Sequence, residues 1–523
     1  MVYSLNIVLW AIALLFIVYF YQKWNSNKAF RAAAVQHGCK RPPRYPHTDP
    51  FFGTDLLRER NKLKKEGRLM KSLGSHYQRL GKTYQEKFFD LTIINTMEAR
   101  NIQQVTALGF NDYSKASLGD ANPMFGYGIL NQEGAVWKHS RNLVKPTFAR
   151  SEIADVAMFE FHFERFLEGI PRNGNTVDLQ QPIHKLVCIH NAFQLGSLLI
   201  TVNQFLDVAS EFILGQSMDS QLSDDPYDSA GFLKAFNDGL GEITKRATFG
   251  KLSRIIFFFD QKYKQAYTKL HSYIDVHVQR ALEATSPETL EKNDDEGKQT
   301  RYILLHEMAK QERDPIELRF QILHVFIASR ATTSILMANM IFNLARNPHI
   351  WTELRKQSLA LGDQPLTFEL LKSLTFFRHV IHETLRLTGP TGRTRRQAMK
   401  NTILPVGGGT DGKAPVFVEK GTMVALDLYS LHHDKDIWGD DAFEFNPHRW
   451  EGKKPMWEFI PFLGGPRMCP AQQQVLTQSV YFLVKLTREF VRIENRDEVL
   501  EYVETARGTV ESRNGVKVAL FSS

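Results

Sequence analysis

The segment from Asp314 to Arg346 limits the fold of this 523-residue chain more than any other stretch. Asp314 is a natural N-cap, Pro315 suits a first helical turn, and Glu317 can complete a capping box. Pro348 ends the helix. A helix of roughly 30 residues, rising about 1.5 Å at each, crosses a whole domain. Its middle is apolar on nearly every face, so the sequence predicts a large helical domain built around it.

A smaller β component follows towards the C-terminus. Residues 404–423 are rich in glycine, proline and β-branched residues, and residues 511–520 contain a second strand pattern. Asn514-Gly515 within that pattern is typical of a two-residue hairpin turn. With 43% hydrophobic and 23% charged residues, the chain has ample material for one large core. We therefore expect a mainly α fold with a minor β subdomain.

The charge and the cysteines exclude several classes of function. Lysines and arginines outnumber acids 65 to 57, and no run of like charges forms a nucleic-acid patch. The net charge of +8 suits a basic face for an acidic protein partner or an anionic membrane surface. Cys39, Cys188 and Cys469 are too few for a disulfide framework, so the main mass is expected to face a reducing cytosol.

The N-terminus predicts a membrane anchor. Val2–Tyr21 is almost wholly apolar and, as a helix, reaches about the 30 Å of a bilayer core. Lys23, Lys28 and Arg31 follow it, so the positive-inside rule puts the rest of the chain in the cytosol. A cleaved signal peptide is the alternative, because small residues occur at Ala32–Ala34, but they lie behind those charges. Three segments are predicted: a transmembrane anchor at 2–21, a basic, proline-rich hinge at 22–50 and the functional domain at 51–523.

Cys469 lies in a loop with an unusual composition. Gly464 and Gly465 allow close backbone approach or a positive φ, Pro466 stiffens the turn, and Arg467 adds a cationic fork. The sulfur precedes an apolar helix, whose dipole favours a thiolate. Such a thiolate is either a nucleophile or a metal ligand. Haem iron is the leading single-cysteine metal site, because porphyrin supplies four other ligands; an inert buried cysteine is the alternative.

Four motifs together resemble the cytochrome P450 family. Residues 462–469, "FLGGPRMC", are similar to its F-x-x-G-x-R-x-C haem-binding loop. "ETLR" at 383–386 resembles its E-x-x-R helix, "FNPHRW" at 445–450 its F-x-P-x-R-W segment, and "WKHSR" at 137–141 its W-x-x-x-R helix. The chain looks most similar to fungal microsomal members near the alkane and fatty-acid hydroxylases.

The resemblance implies the cytochrome P450 fold, preceded here by one transmembrane helix, and a set of site residues. Haem b would be the cofactor, with Cys469 as axial iron ligand and O2 as co-substrate. Hydrogen bonds that moderate the thiolate would come from later amides such as Ala471, because Pro470 has no N–H. The remaining haem-binding residues implied are Trp137, Arg141, Arg396, Phe462, Gly465 and Arg467, and the scaffold is a network of Glu383, Arg386 and Arg449.

The long helix departs from the family pattern. The family reads A-G-x-D/E-T-T where this chain has "ASRATT" at 328–333, so Ser329 replaces the glycine and Ala331 the acid. The resemblance makes Thr332 the hydroxyl that hydrogen-bonds to dioxygen, with Thr333 beside it. Without the acid, protons would arrive through these hydroxyls, Ser329 and water. Ser329 bonding the carbonyl one turn back is the alternative.

The predicted function is a monooxygenase that inserts one oxygen atom from O2 into a lipophilic substrate. Phe326, Ser329 and Arg393 are candidate substrate contacts; Arg393 would meet a carboxylate or polyol, unless it faces propionates or solvent. Electrons would come from NADPH through cytochrome P450 reductase, with cytochrome b5 as a second donor, at the endoplasmic reticulum membrane.

The type of substrate leaves alternatives open. A tailoring step in fungal secondary metabolism is favoured over fatty-acid or alkane hydroxylation because of the departures at Ser329, Ala331 and Arg393. A haem-thiolate isomerase or dehydratase that needs no reductase is a further alternative. So is a non-catalytic haem-binding protein.

Overall fold

The described residues form two compact units. A computed structural model describes residues 2–49, 52–88, 91–115, 122–148, 157–180, 182–183, 213–215, 228–249, 256–289, 303–329, 332–506 and 508–522. The first unit, called the sheet unit, comprises Met1–Ala116, Gly392–Trp438 and Pro455–Met468. The second, called the helical unit, comprises Ser117–Thr391, Gly439–Lys454 and Cys469–Ser523.

Helices dominate the described chain, as the sequence predicts. The α-helices are α1 Val2–His37, α2 Thr54–Glu66, α3 Leu69–Leu80, α4 Ala99–Gln103, α5 Asn122–Phe125, α6 Gly134–Val144, α7 Ala157–Glu168, α8 Ser229–Phe249, α9 Lys262–Ala284, α10 Leu304–Ala309, α11 Pro315–Ser329, α12 Thr332–Arg346, α13 Pro348–Ala360, α14 Phe368–Ser373, α15 Thr375–Thr388, α16 Leu428–His432, α17 Lys435–Trp438 and α18 Gln472–Glu489. A π-helical turn spans Gln104–Leu108, and 3-10 turns span Phe110–Asp112, Lys145–Phe148, Pro447–Trp450 and Gly465–Arg467.

The strands are short and fall into four sheets. They are β1 Thr83–Phe88, β2 Leu91–Thr96, β3 Tyr113–Ser114, β4 Asn173–Asp178, β5 Arg393–Ala398, β6 Thr402–Gly408, β7 Ala414–Val418, β8 Met423–Asp427, β9 Arg492–Asn495, β10 Glu504–Ala506, β11 Val510–Ser512 and β12 Lys517–Phe521. Helix with minor β structure is thus the fold class, as expected.

A five-stranded sheet organises the sheet unit. Its order is β1-β2-β8-β5-β3, with β2 and β8 parallel and the other pairs antiparallel. The central strand β8 buries Val424, Ala425 and Leu426 in succession, as a strand covered on both faces requires. Tyr84 and Ile94 extend this core. The separate β6–β7 hairpin occupies the region where the sequence predicts β structure.

The predicted hairpin at Asn514-Gly515 is wrong, although the chain does turn there. Gly515 has φ +80°, but the strands on either side join different sheets. Strand β11 pairs with β10, whereas β12 lies between β4 and β9. Because both edges of β12 are occupied by other strands, β11 cannot pair with it, and Val516 N donates to Asp178 Oδ1 at 2.7 Å.

The N-terminal helix α1 spans Val2–His37, and the predicted segment boundaries at Tyr21 and Pro50 stay predictions. Ser26 Oγ donates to Glu419 Oε2 at 2.5 Å, which attaches the second half of α1 to the turn between β7 and β8. The proline-rich part of the predicted hinge is not helical, as expected. It is nevertheless bonded along its length: Lys40 N donates to Pro415 O at 2.9 Å and Tyr45 N to Gln85 O at 2.8 Å.

The long central segment forms the core of the helical unit. Asp314 Oδ1 accepts from Ile316 N at 2.8 Å, so the predicted cap is confirmed. Helices α11 and α12 follow one another along Pro315–Arg346, and Arg330 and Ala331 between them lie outside the described residues. Within the described chain, this segment is the one helix long and apolar enough to cross a membrane, but 75% of its most apolar stretch is buried in protein. It is therefore a core helix, and a membrane-spanning N-terminus stays a prediction.

A buried ionic network joins α15 to the segment that precedes the Cys469 loop. Glu383 Oε1 accepts from Arg386 Nη2 and from Arg449 Nε, both at 2.8 Å, and Glu383 Oε2 accepts from Arg386 Nε at 2.9 Å. Trp450 Nε1 donates to Oε2 at 3.0 Å, and Asn446 N donates to Oε1 at 3.0 Å. The predicted association of Glu383, Arg386 and Arg449 is thus present.

The remaining donors of both arginines are also satisfied. Arg386 Nη1 donates to Ala442 O at 2.6 Å, and Arg449 Nη2 donates to Asp441 Oδ2 at 2.8 Å. The hydrogen bond from Arg449 lowers the pKa of Asp441, outweighing its slight burial. Since the Glu383 and Arg386 side chains are fully buried, the charges are stable here only because each is paired and hydrogen-bonded.

We expect Glu383→Gln to lower the free energy of unfolding by about 3–5 kcal/mol, because both arginines lose their buried counter-charge. Urea unfolding measures it. Glu307→Gln is the matched control, since Glu307 makes an i,i+3 ion pair with Lys310 at 2.6 Å in a partly exposed site. Glu307→Gln should lower the free energy of unfolding by less than about 1 kcal/mol. Equal losses in the two variants would contradict a structural role for the network.

Candidate functional site

Cys469 is the first residue of the helical unit after the glycine-rich loop, just before α18. Burial raises the pKa of its thiol, while a hydrogen bond from the Ala471 amide and the positive charge of Arg141 act to lower it. The expectation that a later amide serves the sulfur, because Pro470 has no N–H, therefore matches the geometry. The half-buried sulfur thus has an amide donor and a cation beside it, and both would stabilise a thiolate.

Helix α6 brings Arg141 to Cys469. Arg141 follows Trp137 by one helical turn, and its Cζ lies 6.0 Å from the centroid of the Trp137 ring. Burial lowers the pKa of Arg141, and the charge of Cys469 opposes that shift. The structure thus groups three of the predicted residues, Cys469, Arg141 and Trp137, within the helical unit.

The glycine-rich loop packs against the π-helical turn Gln104–Leu108. Gly465 has φ +73°, and a Cβ at this position would lie 2.0 Å from the Thr106 carbonyl oxygen. A Cβ at Gly464 would lie 2.5 Å from the Trp457 ring. Leu463 also has a positive φ of +60°, which is a strained conformation for a branched side chain. An added Cβ at Gly464 or at Gly465 would therefore collide with a neighbour, in agreement with the close backbone approach predicted for this pair.

The other predicted haem-binding residues lie in the sheet unit. Phe462 is half-buried, and Arg467 Cζ lies 6.0 Å from the centroid of the Phe110 ring. Arg396 is 5% exposed and donates through Nη1 to Thr394 Oγ1 at 3.0 Å and to Arg395 O at 2.8 Å. Arg396 and Arg467 thus carry positive charge on β5 and on the loop.

The hydroxyls of the central segment are partly used by the helix itself. Ser329 Oγ donates to Phe326 O at 3.3 Å, so the bond to a carbonyl one turn back is present. Thr332 Oγ1 makes a long contact of 3.5 Å to Ala328 O and is half-buried, whereas Thr333 is buried. The Thr332 hydroxyl is therefore weakly held. The predicted consequence of Ala331 lies outside the described residues.

Arg393 lies among acidic and polar groups of the sheet unit. It donates to Asn95 Oδ1, and it lies close enough to Asp427 to oppose the rise that burial causes in the pKa of that carboxyl. Asp427 also accepts from Ser430 N at 2.8 Å. A substrate contact by Arg393 stays a prediction, and it would require the side chain to leave these partners.

Sequence reasoning missed several contributors. Trp450 and Asp441 complete the network around Glu383 and Arg449, and Thr106 and Leu463 define the shape of the loop. Trp450 could have been found, because it belongs to the recognised "FNPHRW" motif. The sequence does not mark Thr106 or Leu463, because Thr106 acts through its backbone carbonyl and Leu463 through its backbone φ angle.

We expect Gly465→Ala to destabilise the protein by about 1–3 kcal/mol more than Gly412→Ala, because both substitutions place a Cβ at positive φ but only the first creates a collision. At Gly412, which has φ +66°, nothing lies within 4 Å of the added Cβ. Thermal unfolding of both variants measures the difference. Equal shifts would mean that the loop can move away from Thr106 at no cost.

Comparisons with known proteins identify the family. The family model described as Cytochrome P450 matches residues 43–505. The chain is 34% identical to "Cytochrome P450 monooxygenase apdE" of Emericella nidulans over 93% of this chain and 89% of that protein. It is 35% identical to "Cytochrome P450 monooxygenase FPY7" of Fusarium mangiferae, covering 95% and 92%, and 32% identical to "Cytochrome P450 52A12" of Debaryomyces hansenii, covering 92% of each. This chain belongs to the cytochrome P450 monooxygenase family.

Proposed function

We propose that this protein is a membrane-anchored haem-thiolate monooxygenase that oxidises a lipophilic substrate, with Cys469 as the iron ligand. The observation that carries the proposal is the partly buried Cys469 thiol, served by the Ala471 amide and lying beside Arg141. The family binds haem iron and reacts with O2. When bound, haem would supply the redox chemistry.

Haem carries two carboxylates, and each unit has cations that suit them. Arg141 with Trp137 in the helical unit, and Arg396 and Arg467 in the sheet unit, are the cations that we assign to the propionates. Gly465 has no side chain to hold the loop away from Thr106, and Phe462 gives the loop an apolar side chain. The Ala471 N–H would withdraw charge from the sulfur and so tune the iron. Cys469 must lose its proton on binding, and Arg141 stabilises the resulting thiolate.

Thr332 is the residue that we assign to oxygen chemistry. Its hydroxyl makes only a 3.5 Å contact to Ala328 O, so it can turn to donate elsewhere at small cost. The Ser329 hydroxyl donates a hydrogen bond to Phe326 O, and its oxygen keeps lone pairs that can accept a hydrogen bond from water. Thr333 is buried and would take part through Thr332. Since the sequence has Ala331 where the family has an acid, protons would move along hydroxyls and water.

The proposed substrate class is a small lipophilic molecule, oxidised in a tailoring step of fungal secondary metabolism. Phe326 is a buried apolar side chain one turn before Ser329, so a substrate that reached it would meet an apolar surface. The departures at Ser329 and Ala331 favour the tailoring role over fatty-acid hydroxylation. Arg393 does not support the tailoring role, because its side chain donates a hydrogen bond to Asn95 Oδ1.

Membrane anchoring and electron supply belong to the same proposal. Apolar side chains along α1 are at least 60% exposed, as an anchor in lipid requires: Trp10, Leu14, Ile17, Tyr21 and Trp24. The net charge of +8 suits docking of an acidic flavoprotein reductase that relays electrons from NADPH. We assign the protein to the endoplasmic reticulum, with the functional domain in the cytosol.

The difference spectrum of the reduced, carbon monoxide-treated protein tests the ligand. We expect the red-shifted Soret band of a thiolate-bound haem in wild type and its loss in Cys469→Ala, because no other ligand replaces the sulfur. Cys39→Ala is the control, since Cys39 is also a free cysteine, and it should keep the band. Folded wild type without a haem signal would overturn the proposal. Product formation without oxygen and NADPH would favour an isomerase or dehydratase instead.

Deletion of residues 2–21 tests the anchor. We expect the shortened protein to move from the microsomal pellet to the supernatant, because it loses the apolar stretch that would span the bilayer. Fractionation followed by immunoblotting measures this, and an unrelated transmembrane segment fused in place of 2–21 should restore the pellet. If the shortened protein stays in a carbonate-washed pellet, residues 2–21 are not what holds it there.

A further inference from the structure

Three side chains that can bind a metal meet where helix α6 passes the start of helix α11. His139 Nε2 on α6 lies 3.0 Å from Glu317 Oε1, in the first turn of α11. It lies 3.5 Å from Glu312 Oε2, in the link between α10 and α11. One ligand atom from each residue lies within 4.8 Å of the other two. Among the residues that the structure describes, no other three histidine, cysteine or acidic side chains meet in this way.

The separations match the ligand spacing of a zinc-type ion. Zinc binds histidine nitrogen and carboxylate oxygen at about 2.0–2.2 Å in a tetrahedral arrangement, which places neighbouring ligand atoms about 3.4 Å apart. The two distances from His139 Nε2, 3.0 Å and 3.5 Å, lie on either side of that value. One nitrogen and two oxygens are therefore already close to the positions that such an ion requires.

The local charges favour a cation between these ligands. Two carboxylates share one imidazole nitrogen, which carries at most one hydrogen and so can donate well to only one of them. The two basic residues nearest to Glu312 along the chain bind other groups: Lys310 Nζ lies 2.6 Å from Glu307 Oε1, and Arg313 Nη2 donates to Leu282 O at 2.8 Å. A divalent cation would balance both carboxylates and use all three ligands.

The ligands are held in place by contacts outside the site. Glu312 Oε1 accepts from the backbone amides of the next two residues, both at 2.8 Å, which orients the carboxylate whose Oε2 lies near His139. Beside His139, Ser140 Oγ accepts from Gln321 Nε2 at 2.7 Å in a buried contact between α6 and α11. Because Gln321 lies one helical turn after Glu317, this bond fixes how the two helices are aligned at the site.

We propose that His139, Glu312 and Glu317 form a binding site for a divalent transition-metal ion of the zinc type, which joins α6 to α11. Water would complete the coordination, because the three side chains are 47%, 20% and 33% exposed. Imidazole nitrogen favours such ions over Mg²⁺ and Ca²⁺, which prefer oxygen ligands. The site is independent of the proposed function, since neither Cys469 nor haem takes part in it.

His448 offers a matched control in the same unit. It is also 47% exposed and lies near two carboxylates, but they approach different ring nitrogens. Glu353 Oε2 lies 3.4 Å from Nε2, and Glu451 Oε1 lies 2.8 Å from Nδ1. A cation at either nitrogen would therefore meet only one carboxylate. His448→Ala removes an equally exposed histidine without removing a site of three ligands.

Isothermal titration with ZnCl2 tests the site in the full-length protein as purified, without a histidine tag. Wild type is compared with His139→Ala, Glu317→Gln and the control His448→Ala. Zinc-edge X-ray absorption identifies the ligand atoms, and thermal unfolding with and without zinc measures whether the bound ion stabilises the fold.

We expect one Zn²⁺ to bind wild type, and His139→Ala and Glu317→Gln each to weaken its binding about tenfold or more, because each variant loses one of three ligands. His448→Ala should bind as wild type does, and Mg²⁺ should not displace the zinc. The zinc edge should show nitrogen and oxygen without sulfur, and bound zinc should raise the unfolding temperature of wild type.

Three results would overturn the site: no measurable binding by wild type, equal binding by wild type and His139→Ala, or sulfur in the first shell of the zinc. The last would place the ion on a cysteine. The carbon monoxide difference spectrum decides on haem separately, so a failure of the zinc site and a failure of the proposed function are distinguishable.

Discussion

The buried carboxylate of Glu383 is the constraint on which the rest of the helical unit depends. It accepts from Arg386, Arg449, Trp450 and the Asn446 amide, and so joins α15 to the segment Gly439–Lys454. A buried ion pair of this kind adds little net stability, but breaking one partner is costly, so it selects one arrangement. That arrangement matters because the same segment leads along the chain into the glycine-rich loop and Cys469.

The loop holds one non-glycine residue, Leu463, in the left-handed region of backbone space. Leu463 and Gly465 both have positive φ, and the Gly465 backbone reaches the carbonyl of Thr106. Such strain persists where the surroundings over-determine the backbone, and it clusters at functional sites. Within the sheet unit, the close approach of Gly464 to the Trp457 ring and of Gly465 to the Thr106 carbonyl supplies that constraint.

The sequence predicted those parts of the fold that depend on local chemistry. The cap at Asp314, the buried central segment and the association of Glu383, Arg386 and Arg449 are all present. The hairpin at Asn514-Gly515 failed because turn chemistry says where a chain reverses, not which strand is available as a partner. The predicted segment boundary at Tyr21 stays a prediction, and helix α1 continues through it to His37.

Long-range contacts account for the rest of what the sequence could not reveal. The partners of Arg393, the approach of Gly465 to Thr106 and the two hydrogen bonds of His324 to Phe125 O and Leu130 N join residues far apart in the chain. Iron-edge X-ray absorption of the ferric protein would test the central claim most directly. The account predicts one sulfur scatterer in the first shell of wild type that disappears in Cys469→Ser. A first shell of only nitrogen and oxygen in wild type would contradict it.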